Sequence, residues 1–149
     1  MRVNAKFGHI NVIARDWRAL ARFYEQVLGC TPVPPERDYR GRDLDAGVGL
    51  KNAHLAGVHL RLPGNTATLE IFQYDQPAEE VERRINRPGF GHLAFAVDDV
   101  AGAQREVLAN GGRKVGEIVT LTVATGAMVT FCYVTDPEGN IIELQSWRG

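Results

Sequence analysis

The sequence predicts an α+β protein made of two βαβββ modules, and three observations lead there. A stretch near the start, FGHINVIARDW at 7–17, returns as FGHLAFAVDDV at 90–100, with His9 and His92 offset by 83 positions. Each copy runs into a segment whose apolar residues recur at helical spacing. Each half then closes on two β-rich runs around a turn, with no helix between them, which excludes the doubly wound order of alternating strands and helices.

The first copy opens as a strand around His9. Asp16 is placed to cap a helix over 16–28, in which Trp17, Leu20, Tyr24, Val27 and Leu28 form one apolar stripe and Gly29 supplies the stop. The segment PVPPERDYRGRDLDAGVGLKNAHLA (32–56), rich in Pro, Gly and charge, reads as an insertion peculiar to the first half. GVHLRL (57–62) and TATLEIFQY (66–74) flank a Pro-Gly-Asn turn and form a hairpin. DQPAEEVERRINRPG (75–89) reads as a polar linker with a short helical turn at 78–85.

The second copy repeats the plan. Asp99 caps a helix over 99–110, with Val100, Ala103 and Val107 falling under Trp17, Leu20 and Tyr24, and Gly112 under Gly29. VTFCYVT (129–135), the turn DPEGN (136–140) and IIELQSW (141–147) form the closing hairpin. Module one therefore spans about 5–75, the linker about 76–88 and module two about 89–149, within a single domain of 1–149.

A chain of 149 residues is long enough to bury roughly 68–70% of its unfolded surface. Its 17 basic and 18 acidic residues leave a net charge of −1, which provides no electrostatic footprint for nucleic acid. An uninterrupted apolar run of ~18 residues is lacking, and the opening residues do not follow a signal-peptide pattern. The expectation is a cytoplasmic protein whose partner is a small molecule, with no membrane association. Cys30 and Cys132 have no C-x-x-C partner and are expected to be buried, reduced thiols.

Side chains alternate along a strand, so His9 shares a face with Phe7 and Asn11, and His92 with Phe90 and Ala94. By the same rule Glu70 goes with Thr68 and Phe72, and Glu143 with Ile141 and Gln145. A lone strand histidine or glutamate is ordinarily just a hydrogen-bonded residue. The match of all four in register makes His9, Glu70, His92 and Glu143 candidate ligands, an N₂O₂ set suited to a borderline divalent cation with room for water. Phe72, Tyr74 and Trp147 would line an apolar wall for substrate.

The segments GHINVIARD, FYEQVLG, LEIFQY, GHLAFAVDD and DPEGNIIEL together resemble the vicinal oxygen chelate superfamily, which includes glyoxalase I, methylmalonyl-CoA epimerase, extradiol dioxygenases, fosfomycin-resistance enzymes and bleomycin-binding proteins. The similarity runs from Phe7 to Trp147. It implies two βαβββ modules forming a U-shaped sheet around a metal-centred cleft, and a homodimer. It also implies one divalent metal ion per site, Zn or Ni first and Co, Mn or Fe as alternatives, on His9, Glu70, His92 and Glu143. Ring-cleaving members use two histidines and one carboxylate, whereas a His-Glu-His-Glu set is similar to glyoxalase I, a lactoylglutathione lyase, and close to the epimerases. The implied activity is therefore a metal-dependent isomerase or lyase that transfers a proton beside a chelated carbonyl, with Glu143 as first choice of base and Glu70 as second. The alternatives are an extradiol-type dioxygenase, or a non-catalytic binding protein for a drug or metabolite. Asp43 and Asp45 are weaker candidates for the base. Arg37, Arg40, Lys51 and Asn52 are candidates for contacts with anionic substrate groups.

Overall fold

The computed structural model describes every residue except Asn65. The chain forms two compact units, Met1–Glu79 and Glu80–Gly149. The first contains β1 (His9–Ile13), α1 (Trp17–Leu28), β2 (Thr31–Arg40), α2 (Arg42–Val48), β3 (His54–Arg61) and β4 (Thr68–Tyr74). Its sheet has the order β1-β4-β3-β2, with β1 parallel to β4 and the other pairs antiparallel.

Helix α1 starts and stops where its residues dictate. The Asp16 carboxylate accepts the Ala19 N–H at 3.0 Å, and Gly29, left-handed at φ 72°, returns its N–H to the Tyr24 carbonyl. A cap of the first kind is worth about 1 kcal/mol. The helix buries Trp17, Leu20, Ala21, Phe23 and Tyr24 and packs on β3 and β4. There the core holds Val58, Leu60, Leu69 and Ile71, and complete burial of each large side chain stabilises by roughly 1.5–3 kcal/mol. Gly57, opposite Phe72 in the β3–β4 ladder, lets the strands close up: a Cβ there would lie 1.9 Å from the Ile71 carbonyl oxygen.

The segment 32–56 is not one insertion. Its first part, residues 32–40, belongs to β2, paired with β3 through a register shift between Val33 and Arg37, where Pro34 and Pro35 have no N–H to give the ladder. The extra length of this half lies in residues 41–53, which carry α2, against residues 123–127 at the corresponding turn of the other half. The Pro-Gly-Asn turn before β4 includes Asn65 and so falls outside the described residues.

The second unit contains β5 (Leu93–Ala96), α3 (Val100–Ala109), β6 (Arg113–Lys114), β7 (Val119–Thr122), β8 (Met128–Thr135) and β9 (Ile141–Arg148). The path β5-β9-β8-β6 is joined by β7, which also pairs with β8. The strand after the helix is thus split into β6 and β7, and between them the N–H groups of Val115 and Gly116 both point to the Tyr133 carbonyl. Apart from that split and the added α2, both units follow the expected βαβββ order.

Helix α3 begins as expected, with the Asp99 carboxylate accepting from Gly102 N–H at 3.0 Å. It ends before Gly112, with Asn110 at the C-cap in a right-handed conformation. Gly112 instead allows close packing, because a Cβ there would come within 2.3 Å of the Thr135 carbonyl oxygen and 2.4 Å of Val107. In the turn before β9, the buried Asp136 carboxylate accepts from the backbone of Glu138 and Asn140 and from the Asn140 amide.

The helical turn expected at 78–85 does not form. Val81 and Ile85 stay exposed, so no packed apolar face offsets the nucleation cost of so short a helix. Among the described residues no helix is long and apolar enough to cross a membrane.

Candidate functional site

In the first unit three neighbouring strands bring their side chains to Glu70. Asn11 of β1 and His59 of β3 both stand opposite Glu70 of β4 in their ladders. The Asn11 amide donates to Glu70 Oε1 at 2.9 Å, and His59 Nε2 lies 2.7 Å from Oε2. His9, two residues before Asn11 on the same face, places Nε2 3.4 Å from Oε1. The Glu70 and His59 side chains are only 12% and 19% exposed, against 46% for His9. Burial, the largest influence, pushes the His59 imidazole below its ordinary value against the pull of Glu70, so the ring is neutral at neutral pH. The His59 ring also meets the rings of His9, at 5.8 Å, and of the buried Phe72, at 5.9 Å.

The second unit repeats this register with different neighbours. Ala94 of β5 and Tyr133 of β8 stand opposite Glu143 of β9, where the first unit has Asn11 and His59. His92 Nε2 lies 3.0 Å from Glu143 Oε2, and its ring packs edge-on to Tyr133 at 4.9 Å. Burial and then the Glu143 charge raise the Tyr133 phenol, which stays protonated. His92 is not within a strand as expected but immediately precedes β5, whose pairing with β9 starts at Leu93 opposite Ile142.

The four candidate ligands thus fall into two His–Glu pairs, one in each unit. Among the described residues no group of three or more His, Cys, Asp or Glu side chains is arranged to hold a metal ion. The donors nevertheless suit a borderline divalent cation in kind. The His9–Glu70 separation of 3.4 Å is long for a hydrogen bond and close to the roughly 3.4 Å that divides two ligands bonded at about 2.1 Å to one tetrahedral ion. His59, at 2.7 Å from Glu70, is at hydrogen-bonding distance.

Other sequence candidates fare unevenly. Phe7 and Phe90 precede their strands and are exposed rather than sharing the strand faces. Phe72 lines the His59 ring, and Tyr74 ends β4 half-buried opposite Leu55. Trp147 is 53% exposed, with Nε1 donating to Gln145. Asp43 is exposed in α2, and Asp45 is committed to the loop, accepting the N–H groups of Asn52 and Ala53. The Arg37 guanidinium binds the Pro35 carbonyl and its charge is felt at His59, while Arg40 reaches His54. Cys30 and Cys132 are free and buried, and burial raises both thiols, Cys30 to about 11. Sequence reasoning missed His59 altogether. The hairpin contained the signal, since pairing Leu60 with Leu69 sets His59 against Glu70.

Two α+β units of the same βαβββ plan, each with a His–Glu pair at one register, define a duplicated-module domain of the glyoxalase type. The chain belongs to the Glyoxalase/Bleomycin resistance protein/Dioxygenase superfamily, whose family model matches residues 6–144. The fold is shared with a glyoxalase family protein from Bacillus cereus at TM-score 0.83 and 18% identity, with 100% of both chains covered. It is also shared with the genomically encoded fosfomycin resistance protein FosX from Listeria monocytogenes, at TM-score 0.62 and 14% identity over 95% of this chain and 93% of that one. A glyoxalase family protein from Enterococcus faecalis aligns at TM-score 0.57 and 25% identity over 95% of this chain and 98% of its own. No curated protein matches the sequence.

Proposed function

We propose that the protein is a metal-dependent isomerase or lyase that moves a proton on a carbon next to a substrate carbonyl, with His9, Glu70, His92 and Glu143 as metal ligands. The observation that carries this reading is the repetition of a His–Glu pair at equivalent register in both units, joined to the unequal dress of the two carboxylates. Glu70 has a close partner on each oxygen, the Asn11 amide at Oε1 and His59 Nε2 at Oε2, whereas among the described residues Glu143 is hydrogen-bonded only by His92, through Oε2. A divalent cation would polarise the substrate carbonyl and ease loss of the neighbouring proton.

The chain's own groups supply the rest. Glu143 Oε1, which has no hydrogen-bond donor among the described residues, accepts the proton from carbon and returns it to the adjacent carbon or the opposite face of the same carbon. The protonated Tyr133 phenol beside it offers a neutral donor and no competing base. Glu70, pinned by Asn11 and His59, stays a ligand. Phe72, Tyr74 and Trp147 contribute apolar surface to the substrate.

Elemental analysis of protein purified without chelator, followed by assay of hemithioacetal and acyl-thioester substrates in ²H₂O, tests the reading. Stoichiometric divalent metal and metal-dependent solvent exchange beside the carbonyl are expected. Oxygen uptake with a catechol and Fe²⁺ would point instead to ring cleavage. Ligand binding with no bound metal would point to a sequestering role.

A further inference from the structure

Glu70 has a close partner at each oxygen, Asn11 at Oε1 and His59 at Oε2, and the second of these is replaced by Tyr133 in the other half of the duplication. Resting on the metal-centred reading above, we propose that His59 is a positioning residue: it donates Nε2–H to Glu70 Oε2 and thereby holds Glu70 as a ligand through Oε1 alone. Distance separates the roles of the two histidines, His59 being 2.7 Å from Oε2 and His9 3.4 Å from Oε1. Hydrogen-bond donors fall at the first spacing and co-ligands of one ion at the second.

The surroundings fix the His59 ring in this office. It emerges from the interior strand β3, lies directly opposite Glu70, is mostly covered, and is flanked by the rings of Phe72 and His9. Asn11 donates to Oε1 from the other side, so the carboxylate plane is gripped by donors from both adjacent strands. A carboxylate gripped on Oε2 cannot turn to chelate with both oxygens, which leaves a coordination position open for a substrate oxygen. The second unit has Tyr133 at the His59 position and Ala94 at the Asn11 position, and Glu143 is correspondingly less restrained. The two carboxylates thus hold the same ladder position but differ at two flanking positions, which give Glu70 two close partners, Asn11 and His59, that Glu143 lacks.

The test compares wild type, His59→Ala and His59→Gln by titration with Co²⁺ alone, reading affinity and the visible ligand-field bands. Loss of a hydrogen-bonding partner of a ligand typically costs about 10–100-fold in metal affinity, and that loss is expected for His59→Ala. An altered band intensity should accompany it as Glu70 turns to chelate. Gln, whose amide donates from nearly the same place, should restore most of both. Equal affinity and spectrum in His59→Ala and wild type would overturn the positioning role and leave the metal reading standing. Failure of His59→Gln to improve on His59→Ala would overturn it too, as would a wild type that binds no Co²⁺, which sinks both readings. A measurement on unloaded wild type avoids any folding defect of the variants: imidazole ¹⁵N shifts should show His59 as the Nε2–H tautomer, and an Nδ1–H tautomer would refute the assignment.

Discussion

His92 Nε2 lies 3.0 Å from Glu143 Oε2, and among the described residues no other hydrogen bond reaches that carboxylate. Glu70, its counterpart, is held by Asn11 and His59 as well. The freer carboxylate is the one able to change partners during a proton transfer. Glu143→Gln should therefore lower turnover by on the order of 10²–10⁴, the usual contribution of a general base, beyond whatever its loss of metal accounts for. Glu70→Gln should act mainly through metal content. Rates normalised to bound metal will decide, and a dead Glu70→Gln beside an active Glu143→Gln would reverse the assignment.

Removing one imidazole should expose the division of ligands between units. His9→Ala leaves Glu70 with only His59 beside it, and His92→Ala leaves Glu143 without its histidine; among the described residues no group of three or more His, Cys, Asp or Glu is arranged to hold an ion in their place. Metal per chain should fall sharply in both variants, since the remaining donors do not complete a stable geometry. His54→Ala, which alters a histidine bonded to Asp75 and Asp38 and to neither candidate glutamate, should retain metal. Equal metal content in all three proteins, measured by elemental analysis, would remove these histidines from the ligand set.

Local signals explain what could be read from the sequence. Asp16 and Asp99 cap their helices where short-range chemistry places them, and the hairpins follow from β-rich runs around turns. His59 was hidden because its partnership with Glu70 emerges only once the two strands are set in register, Leu60 against Leu69, and not from the local pattern around either residue. The split of β6 from β7 likewise depends on what β8 offers, the single Tyr133 carbonyl drawing two N–H groups. At 78–85 local helix propensity pointed the wrong way, since without tertiary burial of Val81 and Ile85 it does not suffice.

The closeness of β3 and β4 that brings His59 to Glu70 depends on Gly57. Any Cβ at that position would lie 1.9 Å from the Ile71 carbonyl oxygen and 2.7 Å from the Phe72 ring. A backbone atom cannot swing away as a side-chain tip can, so Gly57→Ala must push the strands apart. A destabilisation of at least about 2 kcal/mol is expected, within the range for overpacked interiors, and a drop in metal affinity should accompany it. Chemical denaturation reads the first effect, and an unchanged midpoint would show that the ladder absorbs the methyl group.

His54 predicts a pH dependence of stability that is separable from the metal site. Its Nδ1 lies 2.7 Å from Asp75 Oδ2 and its Nε2 2.8 Å from Asp38 Oδ1, while Arg40 approaches Nε2 at 3.1 Å. Asp38 and Arg40 belong to β2, His54 begins β3 and Asp75 follows β4, so one imidazole ties the ends of three strands. The hydrogen bond to Asp75, and then that to Asp38, raise its pKa above the ordinary 6.5, and Arg40 opposes them. Because the folded value is the higher one, protonated His54 stabilises the fold fully below pH 6.5, and this contribution fades as pH rises through the raised folded value. The melting-temperature advantage of wild type over His54→Gln should therefore be largest near pH 6 and shrink toward pH 9, and added salt should reduce it, since both carboxylates are exposed. An advantage that stays constant across that interval would mean that the His54 bridge is made equally well by the neutral ring.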